Sequence, residues 1–87
     1  VPEFEFDLQK SASNKKKHGI DFDEAQGLWQ DPDRLVIPAR SDDEERFALL
    51  AEHQGKVWAA FYTIRNDATR IISVRRARET EEAIYES

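Results

Sequence analysis

The spacing of apolar residues changes along the chain. Between about residues 8 and 30 they recur at helical intervals, and from 34 to 76 they alternate or run together. Glu3-Phe4-Glu5-Phe6 alternates polar and aromatic, as a short half-buried strand does. Asp7 is suited to cap a helix over 8–17 that Gly19 ends. That helix offers little apolar surface beyond Leu8 and Ala12, so slight packing is expected, with a specific polar role open to Asn14. Asp21-x-x-Glu24 reads as a capping box opening a second helix, with Phe22, Ala25, Leu28 and Trp29 on one face. Asp31-Pro32-Asp33 stops it.

The remaining pattern is mostly β. Leu35-Val36-Ile37 forms a short strand closed by Pro38, and Ser41 to Glu45 an acidic loop. Arg46–His53 and Val57–Arg65 flank a Gln54-Gly55 turn, and Asn66-Asp67-Ala68 leads into Arg70-Ile71-Ile72-Ser73-Val74-Arg75-Arg76-Ala77. Glu79 to Glu86 is helical in pattern, although Arg78 is a poor cap and favours a start at Thr80. The order β-α-α-β-β-β-β-α predicts an α+β two-layer sandwich: two N-terminal helices packed on a compact antiparallel meander, with a short C-terminal helix. The nearly continuous apolar run over 57–65 marks a central strand, and the arginine-bearing strand is its neighbour.

Composition then narrows the setting. Eighty-seven residues suit a single domain, 1–87, with a thin core: a chain this short buries roughly 60–65% of its unfolded surface. Cysteine is absent, which excludes disulfides and thiolate metal sites. No apolar run approaches the roughly 20 residues of a membrane helix, and the first segment is acidic rather than signal-like, so a cytoplasmic setting is expected. The net charge is −5, yet 10–18 and 65–78 together hold nine of the 13 Lys and Arg against one of the 18 Asp and Glu. Such segregation creates a local positive field on an acidic protein. Desolvating unpaired charge is costly, so arginines in an apolar strand either trim the sheet or face something anionic.

Several of these stretches occur together in a known family. Phe4-Glu5-Phe6-Asp7, Asn14 before Lys17-His18-Gly19, Phe22, Ala25 and the Asp-Pro break resemble the first half of the BrnT toxins of bacterial type II toxin–antitoxin modules. Glu45-Arg46, the aromatic strand ending in Arg65, the Arg-Ile-Ile-Ser-x-Arg-x-Ala block, Glu81 and Tyr85 resemble the second half. The resemblance implies a RelE-like ribonuclease fold and RNA cleavage that arrests translation. It also implies a BrnA-type ribbon-helix-helix antitoxin, in a heterotetramer that binds operator DNA only through the antitoxin.

Metal-free RNA cleavage proceeds by attack of a ribose 2′-hydroxyl on the adjacent phosphorus. It needs a base, an acid for the leaving 5′-oxygen and fixed positive charge on the phosphorane. Arginine suits the last task because its planar fork grips two phosphate oxygens. Arg65 ends one hairpin strand and Arg70 begins the next, while Arg75 follows on the same strand. Without a bulge, Arg70 and Arg76 point away from the side that Ser73 and Arg75 face, so all of them reach one site only through a twist or bulge. The catalytic candidates are His18, histidine being the commonest general acid or base, with Arg65, Arg70 and Arg75. Lys17, Arg46, Tyr62 and Arg76 are RNA-binding candidates, and salt bridges or core packing are the competing roles for each. No cofactor and no metal site are expected. A non-catalytic module whose basic patch docks an acidic partner is the alternative. No helix-turn-helix pattern supports a DNA-binding repressor.

Overall fold

The computed structural model describes residues 3–40 and 42–87. In chain order it contains β1 (Phe4–Glu5), α1 (Leu8–His18), α2 (Phe22–Ala25) continued by a 3-10 turn (Gln26–Gln30), and β2 (Leu35–Ala39). Then follow β3 (Arg46–His53), β4 (Lys56–Arg65), β5 (Ala68–Arg76) and α3 (Glu79–Glu86). One five-stranded sheet has the order β1-β5-β4-β3-β2. Strands β2 to β5 form the expected antiparallel meander with β4 at its centre. The sheet is nevertheless mixed rather than wholly antiparallel, because β1 joins β5 in parallel. The chain leaves β1 through the helices and three further strands before β5 returns beside it, a connection long enough for parallel pairing.

Both hairpins turn through two residues of positive φ, Gln54 (53°) and Gly55 (79°), then Asn66 (52°) and Asp67 (65°). This left-handed pair matches the twist of the flanking strands. The expected acidic loop begins at Ser41, which lies outside the described residues.

The core lies on one face of the sheet. Phe22, Ala25 and Leu28 come from the α2 segment, and Leu49, Ala51, Trp58, Ala60, Tyr62, Ile71 and Val74 from the strands. The capping box is formed: the Asp21 carboxylate accepts the Glu24 N–H at 2.7 Å, and Glu24 accepts that of Asp21 at 3.0 Å. The second helix is shorter than its apolar spacing suggested, however, and after four residues it tightens into the 3-10 turn.

Helix α1 is held by polar contacts. Asp7 caps it, accepting from the Gln9 and Lys10 N–H groups, and Gly19 ends it at φ 82°. Only Ser11 and Asn14 are buried along it. Ser11 Oγ accepts the Phe22 N–H at 2.9 Å. Asn14 Nδ2 donates to the carbonyls of Ile20 (2.8 Å) and Val74 (2.9 Å), and its Oδ1 accepts the Val74 N–H at 3.1 Å. β1 pairs only as far as Arg70, so beyond it the outer edge of β5 has no strand beside it. The Asn14 carboxamide there acts as a single peptide unit, giving and taking one hydrogen bond with Val74 as a partner strand would. Packing of α1 is therefore specific, although its apolar contribution is as small as expected.

Helix α3 starts at Glu79, one residue earlier than Arg78 suggested. Arginine has no acceptor with which to cap. Glu81 instead reaches back, its Oε1 accepting the Arg78 N–H at 2.8 Å. The far end is tied by Tyr85, whose hydroxyl donates to Asp31 Oδ2.

Candidate functional site

The arginine strand is irregular at one point, and that point decides which way its side chains face. Phe61 pairs with Ser73 while Tyr62 pairs with Ile71, so Ile72 is an extra residue without a cross-strand partner. Such a bulge shifts the alternation of faces by one. Ile71 (opposite Tyr62) and Val74 (opposite Ala60) both point into the core. Arg70 (opposite Thr63), Ser73 (opposite Phe61) and Arg75 (opposite Ala59) all point to the other face.

By the same alternation Arg46 on β3 and Arg65 on β4 lie on that face. Part of it is covered: Leu50 and Ala59 are fully buried there, and α3 packs against β3. The rest carries the four arginines around Phe61, Thr63 and Ser73. Thr63 and Ala59, the partners of Arg70 and Arg75, are four residues apart on β4, about 13 Å at ~3.4 Å per residue. Guanidiniums on side chains of that length can address one stretch of phosphodiester from its two ends.

The four arginines differ in how firmly they are held. Arg75 is fixed most tightly, donating from Nη1 and Nη2 to the two Glu81 oxygens at 2.8 and 2.9 Å. It also stands 5.1 Å from the Phe61 ring centroid. These hydrogen bonds from Arg75 to Glu81 hold the Arg75 pKa above its ordinary value and the Glu81 carboxyl below its own. Arg70 reaches Glu5 at 3.4 Å and Arg65 reaches Glu44 at 3.3 Å, both loose and partly exposed. Pairs of that kind are worth little energy and are easily exchanged for another anion. Arg46 is exposed.

Lys17 and His18 enter from the side. A cleft of about 200 Å³ between α1 and β5 is lined by Lys10, Lys17, His18, Phe22, Ile72 and Ser73 among others. The bulged residue Ile72 thus forms part of its wall. Ser73 belongs both to the cleft and to the arginine face, so the two open onto each other there.

This arrangement joins one firmly held arginine and three looser ones to an exposed imidazole, without any cluster of metal ligands among the described residues. The family model for BrnT, the ribonuclease toxin of type II toxin–antitoxin systems, matches residues 6–81. The chain belongs to the BrnT family. A comparison with curated proteins gave no match.

The match takes in all eight sequence-derived candidates and ends at Glu81, the carboxylate that grips Arg75. In this BrnT chain the fold brings Arg46, Arg65, Arg70 and Arg75 to one face and sets Lys17 and His18 in the adjoining cleft. Two candidates fall elsewhere. Tyr62 is only 7% exposed, on the core side, with Trp29 and Phe47 each at 5.4 Å between ring centroids. Its ring therefore packs in an aromatic cluster rather than against a base, and burial raises its hydroxyl pKa. Arg76 pairs with Trp58 and stands over that ring at 5.6 Å, on the side away from the other arginines. Bulge and strand alternation together place it there.

Ser73 and Phe61 were not among the candidates, because an unbulged strand gives no reason to join Ser73 to Arg70. Asp31, read from sequence as a helix stop, is a hub. It accepts from the Asp33 N–H (2.9 Å), the Glu52 N–H (2.8 Å) and the Tyr85 hydroxyl. Burial alone raises its pKa, but these donors outweigh burial and hold it below the ordinary carboxylate value.

Proposed function

We propose that this BrnT-family chain is an endoribonuclease that cleaves RNA without a metal ion, arrests translation, and is silenced by a BrnA-type antitoxin. In this reading the RNA backbone lies across the open face of the sheet. Arg70 and Arg65 exchange their loose carboxylate partners for phosphate oxygens and stabilise the charge that builds on the phosphorane. Arg75, held in one orientation by Glu81, adds fixed positive charge beside them. His18, exposed at the cleft mouth, takes the 2′-hydroxyl proton or supplies one to the leaving oxygen, a contribution of about 10²–10⁴-fold. Lys17 and Arg46 extend the positive field along the strand of RNA on either side. The observation that carries the reading is the bulge at Ile72, which turns Arg70 to the face that Ser73 and Arg75 occupy.

The resting state of the complex is two toxins with two antitoxins in the cytoplasm, and operator DNA is contacted through the antitoxin's ribbon-helix-helix domain. A second reading has support from the ion pairs themselves. Arg65, Arg70 and Arg75 each already bind a carboxylate of the same chain, so an acidic antitoxin segment is a natural ligand for this face. The two readings separate when the purified chain is incubated with labelled RNA in EDTA. Cleavage that falls on Arg70→Ala and His18→Ala supports the nuclease. RNA left intact at every protein concentration, with antitoxin binding that depends on Arg70, supports the docking module.

A further inference from the structure

Phe61 stands apart from the other phenylalanines. Phe22 lies within the core, and Phe4, Phe6 and Phe47 pack against it. Each of those four also meets another aromatic ring, whereas the Phe61 ring has the Arg75 guanidinium over it at 5.1 Å. Phe61 points to the opposite face of the sheet, paired with Ala48 on β3 and Ser73 on β5. Along β4 its neighbours on that face are Ala59 and Thr63. All four are small, so a partly exposed ring rises above its surroundings among the arginines.

Stability alone gives little reason for a ring there. A phenylalanine left partly in water forgoes part of the stabilisation that burial gives. Arg75 does not need its support, being already fixed by two hydrogen bonds to Glu81. A ligand that satisfies the whole face carries negative charge for the arginines and a flat π-face for the ring. A nucleotide has both, and cations that track the backbone beside an aromatic that stacks the base are how single strands are held. The register suits one nucleotide unit. Phe61 lies midway along β4 between Thr63 and Ala59, the partners of Arg70 and Arg75, about 7 Å from each at ~3.4 Å per residue. A base laid on Phe61 thus has a guanidinium on either side for the phosphates that flank it. In a duplex the bases are stacked on one another, so only an unpaired base can lie on a ring carried by a sheet.

We infer that Phe61 is the platform on which an unpaired nucleobase stacks, making single-stranded RNA the substrate class of this face. The inference rests on RNA being what the arginines hold, and adds the contact that tells a single strand from a duplex. The probe is a short single-stranded RNA with 2-aminopurine in place of adenine, 2′-O-methylated throughout so that no 2′-hydroxyl can attack. Stacking quenches its fluorescence. Wild type and Phe61→Tyr, which keeps the ring, quench the probe on binding. Phe61→Leu keeps apolar bulk without the π-face, loses the quenching at saturation, and binds roughly 5- to 100-fold more weakly, the scale of one base–aromatic stack. The same strand annealed to its complement binds the wild type at least about tenfold more weakly. Phe61 lies outside the core, so the leucine variant folds, and circular dichroism verifies this. Unchanged quenching and affinity in Phe61→Leu overturn the inference, as does equal affinity for strand and duplex. Slower cleavage of unmodified RNA by Phe61→Leu with quenching intact makes the ring only a support for Arg75, and equally overturns it. A wild type that ignores the probe but holds an Asp/Glu-rich peptide through Phe61 makes a protein segment the occupant, and overturns it too. Because the probe cannot be cut, quenching by a wild type that cleaves no unmodified RNA fails only the nuclease reading. Cleavage together with quenching that does not depend on Phe61 fails only this one.

Discussion

Arg70 and Arg75 are five positions apart on one strand and face the same side of the sheet. In a regular strand an odd separation puts side chains on opposite faces, and the unpaired Ile72 between them reverses that. Deleting the unpaired Ile72 reduces that separation to four, so Arg70, Ser73 and Arg75 stay on one face of a now regular strand. The deletion is therefore expected to keep most of the RNA cleavage, whereas Arg70→Ala, which removes a charge at the phosphorane, is expected to lower it by about 100-fold or more. Ile72→Val, which keeps the bulge, is expected to cleave within a few-fold of wild type, as measured by gel assay of labelled RNA.

Asn14 is the residue on which attachment of α1 depends most. Replacing it with alanine leaves the Ile20 and Val74 carbonyls and the Val74 N–H without their partner in a buried setting. The expected loss is about 2–4 kcal/mol, since each orphaned buried group costs ~1–3 kcal/mol and the effects overlap. Urea unfolding followed by tryptophan fluorescence measures it. Asn14→Asp keeps the shape but removes the donor, and is expected to be at least as damaging near neutral pH.

Helix α3 has no buried residue and is attached largely through two carboxylates, so its docking depends on pH. Asp31 and Glu81 both have folded pKa values below their ordinary ones. The stability they contribute is present above the unfolded carboxylate range and is lost as pH falls through the lower folded values. Tyr85 behaves in the opposite sense: hydrogen bonding to Asp31, with burial, raises it to about 12. Its contribution is intact below about 10 and disappears as pH rises through about 12. Protection of the amides within Glu79–Glu86, relative to their intrinsic exchange at each pH, is expected to fall below about pH 4, before the strands open.

Glu81 both starts α3 and grips Arg75, and its side chain is 17% exposed. Glu81→Gln keeps the shape while removing the charge and one of the two paired acceptor oxygens. The expected destabilisation is about 1–3 kcal/mol, in the range for hydrogen bonds to charged groups. Thermal unfolding measures it, with Glu82→Gln on the same helix as a near-neutral control.

Much of the fold was legible because local signals agreed with one another. Asp7, Gly19, Asp21 with Glu24, Gln54-Gly55 and Asn66-Asp67 punctuate the chain where the elements begin and end. Parallel pairing of β1 was not legible, since two residues carry no directional signal and their partner lies more than sixty positions away. The arginine cluster could be named from composition and spacing, but its common facing could not. No feature of Ile71-Ile72 marks which isoleucine is unpaired; that depends on Tyr62 and Ala60 both needing core partners. The same bulge removed Arg76 from the cluster, and the apolar packing of Tyr62 against Trp29 and Phe47 outweighed its potential for base stacking. Asp31 was read only as a chain stop because its partners, Glu52 and Tyr85, are distant in sequence.

The central claim is that Arg70, turned outward by the bulge, stabilises charge on RNA phosphate during metal-free cleavage. Single-turnover cleavage in EDTA by wild type, Arg70→Lys and Arg70→Ala tests it most directly, with circular dichroism to verify the fold. The account predicts a fall of about 10²–10³-fold for alanine, with partial recovery for lysine, which keeps the charge but not the planar fork. Cleavage by Arg70→Ala at the wild-type rate, or wild-type cleavage that vanishes in EDTA and returns with added divalent metal, would contradict it.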